Sequence, residues 1–374
     1  LDNLTRRVQV FGRLTDEQTT AALEFAKVIG REYPLSANDA MASIFDLIKA
    51  GVELEDIFNI VPSAADIAAL AELDSLEDAT QSIIIAVNSF DRVLPGVEAS
   101  FANSARIADV ISGVSDATVS SFQSLAPAIG EVGAIANSFN LTILDTASAI
   151  AAILEGGLSD RRSAGAFRSL LTNLTTDSAQ RELQRLGVSL TDAEGRFRDF
   201  DEVIKDLNVA LNETKIVSVG VGPGTTPEDR RRLELAQKTL GTATRNLMLW
   251  NDELASGSED SERAERRIAE YQRQVAAANA VILEVTGSQQ AANYVTREIT
   301  RSQQENFESV KRLAGSYGQT ALSILLTRDG IDDIRQATLS SNSAQERAIA
   351  LLDTFRGDMI QLSGSIETFM AAGF

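Results

Sequence analysis

The sequence predicts an all-α protein: a compact multi-helix domain with one small β-hairpin and an inserted, coiled-coil-like helical hairpin. Three observations carry this expectation. Polar cap residues followed by apolar residues at helical spacing recur along most of the chain, with glycines where the runs stop. Hydrophobic residues make up 44% of the chain but aromatic ones only 5%, so the core must be built from Ala, Leu, Ile and Val, as in helix bundles. Alternating apolar runs are scarce, and there are only six prolines.

Taken in order, Thr15 precedes a helical run to about Ile29, and Ser36 opens the stretch SANDAMASIFDLIKAGVELED. Pro62 is expected to begin a short Ala-rich helix, since proline fits the first helical turn. Ser75 with Asp78 caps the next helix. Further helices are expected over 97–112, 116–137, 143–155, 160–174 and 177–185.

The Ser36 stretch has a second copy, TILDTASAIAAILEGGLSDRR, which aligns without a gap from Thr142. Ser36 falls on Thr142, Asp39 on Asp145, Ile44 on Ile150 and Gly51 on Gly157. Each Ser or Thr can accept a hydrogen bond from a first-turn amide, and the aspartate three residues on favours the positive end of the helix dipole. Each glycine can take the left-handed conformation that closes a helix. Ile44, Leu47 and Ile48, like Ile150, Ile153 and Leu154, form an apolar stripe, and the two stripes are expected to pack on each other or on a common core.

One segment breaks the helical rhythm. In RLGVSLTDAEGRFRDFDEVIKDL, Val188, Leu190 and Phe197 alternate with polar residues around TDAEG, which predicts a β-hairpin near 186–200 leading into a helix from about 201. Calcium fails on spacing, because Leu190 stands where an EF-hand loop needs its first ligand. The stretch SVGVGPGTTPEDRRR lacks the lysine of a phosphate-binding loop and reads as a flexible linker. Thr226, Pro227 and Asp229 then start a helix.

From about 259, Ala264, Ile268, Tyr271, Val275, Ala278, Ile282 and Val285 form a heptad seam. Its partner is the preceding helix, the helix after Gly287 or another subunit, and an intramolecular hairpin fits the short connections best. Another helix is expected to end near Gly330. Ser343 and Glu346 form a capping box for a terminal helix striped by Leu351, Leu352, Phe355, Met359, Leu362 and Ile366.

Cysteine and histidine are both absent, which excludes thiol nucleophiles, imidazole acid–base schemes and zinc sites built on either residue. No catalytic, cofactor-binding or metal-ligating residue stands out, and no cofactor is expected. A net charge of −19 argues against specific nucleic-acid binding. No apolar stretch reaches the roughly 20 residues of a membrane span, and no signal peptide is visible. With Leu1 in place of Met, the chain is expected to be a piece of something longer.

In this order, SANDAMASIFDLIKAGVELEDI, FNLTILDTASAIAAILEGGLSDRRSAGAFRSLLTNLT, the hairpin-helix segment and SAQERAIALLDTFRGDMIQLSGSIE resemble the core domain of phage tail tape-measure proteins. The resemblance covers roughly residues 15–213 and 317–372. It implies a helical core over 1–213, a Gly-rich linker over 214–226, an inserted heptad-bearing hairpin over 227–316, and closing helices over 317–374. It also implies a structural protein, not an enzyme, that occupies the tail lumen, sets tail length, nucleates or anchors the tube and leaves during genome delivery. The implied partners are the tail tube protein, tail tip or baseplate hub proteins and tail assembly chaperones. The resemblance further suggests a homo-oligomer of a few copies, such as a trimer, placed in the tail lumen or tip and in the host cytoplasm during assembly. The competing readings are a free-standing helical scaffold and a carboxylate-based peptidoglycan hydrolase, the latter needing two carboxyl groups about 5 to 9 Å apart.

Overall fold

The computed structural model describes residues 1–33, 35–71, 75–118, 120–212, 216–219, 225–255, 261–327 and 330–352. Among these residues the fold is all-α, with sixteen helices and one two-stranded sheet. The chain divides into two compact units, one formed by Leu1–Ala164 with the chain from Gly330 onward, the other by Gly165–Asp329.

Unit 1 contains α1 (Asp2–Gly12), α2 (Asp16–Glu32), α3 (Ala37–Lys49), α4 (Leu54–Leu70), α5 (Leu76–Ser89), α6 (Ser104–Ala117), α7 (Phe122–Ser138) and α8 (Ile143–Glu155). Helix α9 (Asp160–Leu174) carries the chain out, and α15 (Gly330–Ser340) and α16 (Ala344–Leu352) bring it back. The two sequence copies have the same ends. Ser36 and Asp39 form one capping box, Thr142 and Asp145 the other, each with the carboxylate accepting from the cap amide at 2.9 Å. Both helices end in the same paired turn: Gly51 and Gly157, at φ +82° and +115°, donate to Ile48 and Leu154, while Val52 and Leu158 donate to Leu47 and Ile153.

Their surroundings differ. Helix α3 packs on α1, α2, α4 and α5 and buries one side, whereas α8 packs on α6, α7, α15 and the small sheet and buries every residue from Ile143 to Leu154 except the partly buried Asp145. Because α4 packs on α6 and α5 on α7, the copies share one core through these intermediaries. The expected stripe on α8 is therefore part of a surface buried on all sides, the pattern of a central helix.

Three expectations in unit 1 are corrected. The helix expected over 116–137 begins only at Phe122, because α6 runs on to Ala117 and Thr118 and Ser121 are extended, Ser121 capping α7. Pro62 lies inside α4, which begins at Leu54. Ile57, Ile60 and Val61 before it and Ala64, Ala65 and Ile67 after it are all buried, so continuous packing outweighs the one backbone hydrogen bond that proline removes. Residues 97–103 are not α-helical: β1 (Arg92–Leu94) and β2 (Val97–Glu98) pair antiparallel around Pro95-Gly96, a short 3-10 helix (Phe101–Asn103) follows, and α6 begins at Ser104. Gly96 has φ +79°, which a helix does not accept.

Unit 2 comprises the end of α9, α10 (Asp177–Leu186), α11 (Phe200–Asn212), α12 (Pro227–Ala255), α13 (Ser261–Thr286) and α14 (Gln289–Thr327). The hairpin expected near 186–200 reduces to a tight loop with one bridge, Thr191 to Phe197. Asp192 holds that loop by accepting from the amides of Glu194 and Arg196 and from the Arg196 side chain. Arg232 of α12 meets Glu284 of α13 at 3.0 Å, and Asn279 of α13 meets Thr296 of α14 at 2.8 Å. Helices α12, α13 and α14 thus run up, down and up, and the seam's partner is intramolecular. Leu233, Ala236, Leu240, Ala278, Ile282, Val295 and Ile299 fill the space between them. Trp250, the single tryptophan, is buried on α12.

Most of the proposed glycine-rich linker lies outside the described residues. Within 216–219, Val217 is docked in the α12–α14 core, its amide donating to Gln237 Oε1 at 2.7 Å and its carbonyl accepting from Gln237 Nε2 at 3.2 Å. Helix α14 bends at Gly315, whose φ of +67° and ψ of 174° interrupt the helix where it passes Asn173. The capping boxes at Thr226 and Ser343 form as expected. Of the terminal stripe, Leu352 is buried and Leu351 partly exposed, while Phe355, Met359, Leu362 and Ile366 lie outside the described residues.

Candidate functional site: the polar junction of the closing helices

The charged side chains of unit 1 converge where α15 and α16 return to the core. Asp145 has two tasks there. One carboxylate oxygen completes the α8 capping box, and the other lies 3.2 Å from Arg335 Nε on α15, with both side chains mostly buried. Its counterpart Asp39 caps α3 in the same way. On α6, Asp109 accepts from the Ala344 amide at 2.7 Å, the first amide of α16. One turn on, Arg347 donates to Ser112 Oγ at 2.7 Å and pairs with Asp116. Burial pulls the Arg347 guanidinium below its ordinary pKa, against the opposing pull of Asp109.

Beside this junction, Tyr33 Oη donates to Asp66 Oδ1 at 2.8 Å, and both residues are buried. Burial drives the Asp66 carboxyl up to about 6; the Tyr33 hydrogen bond opposes the rise and the Asp109 charge adds to it. The Tyr33 phenol is raised as well, first by burial and then by the Asp66 charge. A raised carboxyl next to a second carboxylate is the arrangement a glycoside hydrolase needs, but Asp66 is only 6% exposed and α4 packs against α5, α6 and α16 around it. A general acid must reach its substrate, and this one is covered.

Unit 2 has its own buried charge. Glu182 on α10 binds Arg185 at 2.5 Å and Arg312 at 3.3 Å, and Arg185 donates to Ser309 at 2.9 Å, which ties α10 to α14. Two facing hydrogen bonds tie α12 to α14. Asp252 meets Lys311 at 2.6 Å, and Glu253 accepts from Thr320 at 3.0 Å. These clusters neutralise one another and hold helices together.

The sequence singled out no site residue, and the junction explains why: its members are spread from Tyr33 to Arg347 and meet only in the fold. Asp66 carried one visible signal, as the single charge within IVPSAADIAAL.

The sequence model described as "Phage-related minor tail protein" matches residues 19–216, more than half of the chain. The chain belongs to this family. Two curated relatives agree with it: the tape measure protein of Pneumococcus phage Dp-1, 25% identical over 228 residues, and the probable tape measure protein of Escherichia phage P2, 24% identical over 214. These alignments take in 60% and 55% of this chain but only 18% and 25% of the relatives, so the chain corresponds to a fraction of their length. No solved structure matches it. The family is a structural one, and its members are tail components. Among the described residues no helix is long and apolar enough to cross a membrane.

Proposed function

We propose that this chain is the assembly or anchoring module of a tail tape measure, a protein that occupies the tail lumen, sets tail length and leaves during genome delivery. The supporting observation is the family match over 19–216 together with two relatives named as tape measures. A ruler made of helix advances about 1.5 Å per residue along its axis. The capped, folded-back helices of both units suit a module better than a ruler, so the measuring length belongs to flanking sequence. Relative to a family core of 1–213 and 317–374, residues 227–316 read as an inserted helical hairpin. The tail tube, the tail tip or baseplate hub and assembly chaperones are its partners, and a few copies such as three fit the rotational symmetry of tails. A net charge of −19 keeps such a protein from holding the genome that follows it through the tube. Catalysis is not part of this reading: among the described residues the strongly raised carboxyl, that of Asp66, is covered.

Excision of the α12–α13 pair from the full-length gene tests the proposal. Arg232 and Glu284 bring the start of α12 and the end of α13 together, so removing 227–286 joins neighbouring ends. Electron microscopy should then show tails of unchanged length, or no tails if the hairpin is an assembly contact. Tails shortened by roughly 90 Å, the rise of about 60 helical residues, would make the segment part of the ruler instead.

A further inference from the structure

Helix α1 packs on α2 and α3 and buries Val8 there. Its outer side departs from the polar face of an ordinary surface helix. Val10 and Phe11 are 71% and 63% exposed, and Arg6, Arg7 and Arg13 stand exposed around them. Positions 3, 6, 7, 10 and 11 fall within about half of the helix circumference, so the arginines and the apolar pair share one face. A shallow hollow of about 440 Å³ on that face is lined by Asp2, Asn3, Arg6, Arg7, Val10 and Phe11. The chain has 53 acidic residues against 34 basic ones, yet these arginines have no carboxylate. Among the described residues the Arg6 and Arg13 side chains form no ion pair or hydrogen bond, and Arg7 lies over the Phe45 ring, 4.3 Å from its centroid. Asp2, one turn before Arg6, does not pair with it. Two adjacent cations in the first half of a helix also oppose its dipole, so helix stability does not account for them.

We infer that this face of α1 is a docking surface for an acidic amphipathic helix of a partner protein, whose carboxylates meet Arg6, Arg7 and Arg13 and whose large apolar side chains seat on Val10 and Phe11. The charge of the face decides the chemistry of its occupant: three arginines against one aspartate, in a chain of net charge −19, select a partner of negative charge. A purely apolar partner would take the guanidinium groups out of water without pairing them. Nucleic acid would meet these cations but be repelled by the rest of the surface. An anionic membrane surface calls for a longer apolar side than two residues supply. The face is also held in advance of binding. Phe11 meets Phe45 edge-on with centroids 5.4 Å apart, and Lys49 lies 4.9 Å from the centroid of the same Phe45 ring that Arg7 covers. Side chains already fixed lose less freedom on docking, and arginine and aromatic residues are those that carry most binding energy at interfaces.

The probe is a fluorescein-labelled helical peptide of about 18 residues, with Leu along one face and Glu along the other, titrated with the full chain and followed by anisotropy. The same peptide with Lys in place of Glu is the control. The acidic peptide should bind saturably and the basic one should not. Arg6→Glu/Arg13→Glu, and separately Val10→Ser, should each weaken binding about tenfold or more. Raising salt from about 0.05 M to about 0.5 M should weaken it in the same direction. All three positions are exposed, so helix content and thermal midpoint, measured alongside, should stay at their wild-type values. No binding of the acidic peptide up to about 1 mM overturns the inference, as does binding that ignores the substitutions. Three further outcomes also overturn it, because each gives the face another occupant. One is a dimer in sedimentation that Val10→Ser dissociates. The others are binding of anionic vesicles or of duplex DNA that Arg6→Glu/Arg13→Glu abolishes.

Discussion

At the scale of single residues, Asp66 carries the sharpest consequence. Its carboxyl is raised from 3.8 to about 6 in the folded chain, so the folded state holds this proton more tightly than the unfolded state does. Stability from this group is therefore missing at pH 7.5, grows as pH falls through about 6, and is complete below the unfolded value of 3.8. Asp66→Asn keeps an acceptor for Tyr33 without the buried charge. It should stabilise unit 1 by about 1–3 kcal/mol at pH 7.5 and flatten its stability between pH 7.5 and 4.5, as measured by urea denaturation across that range. Gly315 is a second decisive position. Gly315→Ala places a side chain at φ +67° with the added carbon 2.7 Å from the Asn173 amide, and should cost unit 2 about 2 kcal/mol or more, visible as a lower thermal midpoint.

Among helices, the duplicated unit gives an internal comparison. Ser36→Ala and Thr142→Ala each remove one cap and should each cost about 1 kcal/mol. The acids should not behave alike. Asp39→Ala removes capping alone, whereas Asp145→Ala also strips Arg335 of a mostly buried partner and should cost about 2 kcal/mol more by chemical denaturation. The caps and glycine stops were legible because each is encoded within a few residues, as Ser36 to Asp39 and Gly51 show. The heptad seam was legible too, although its partner was not, since Arg232 and Glu284 are separated by 52 positions. Pro62 misled because a local rule about proline carries no information on the buried isoleucines around it. The Pro95-Gly96 turn was present in the sequence but lay between short strands with too few alternating residues to register. The polar junction was invisible for a different reason: pairs such as Asp109 with Ala344 are 235 residues apart and involve a backbone amide that has no sequence signature.

For the molecule as a whole, the two units have separate cores, one rich in Ile and Ala around α8, the other a three-helix seam around Leu240 and Ile282. Each core is a cooperative unit in its own right. Calorimetry of the full chain should therefore show two transitions, and excision of 227–286 should remove or shift the one that belongs to unit 2 while leaving the other within a few degrees of its position.

The lone tryptophan gives this architecture an optical consequence. Trp250 is buried on α12 and the chain has no other indole, so intrinsic fluorescence excited at the red edge reports unit 2 and is blind to unit 1. The absence of cysteine complements it: a single thiol introduced on the exposed face of α16, at Ile349, would carry a dye reporting unit 1 alone. One molecule could then be watched in two colours, each belonging to a different part of the fold.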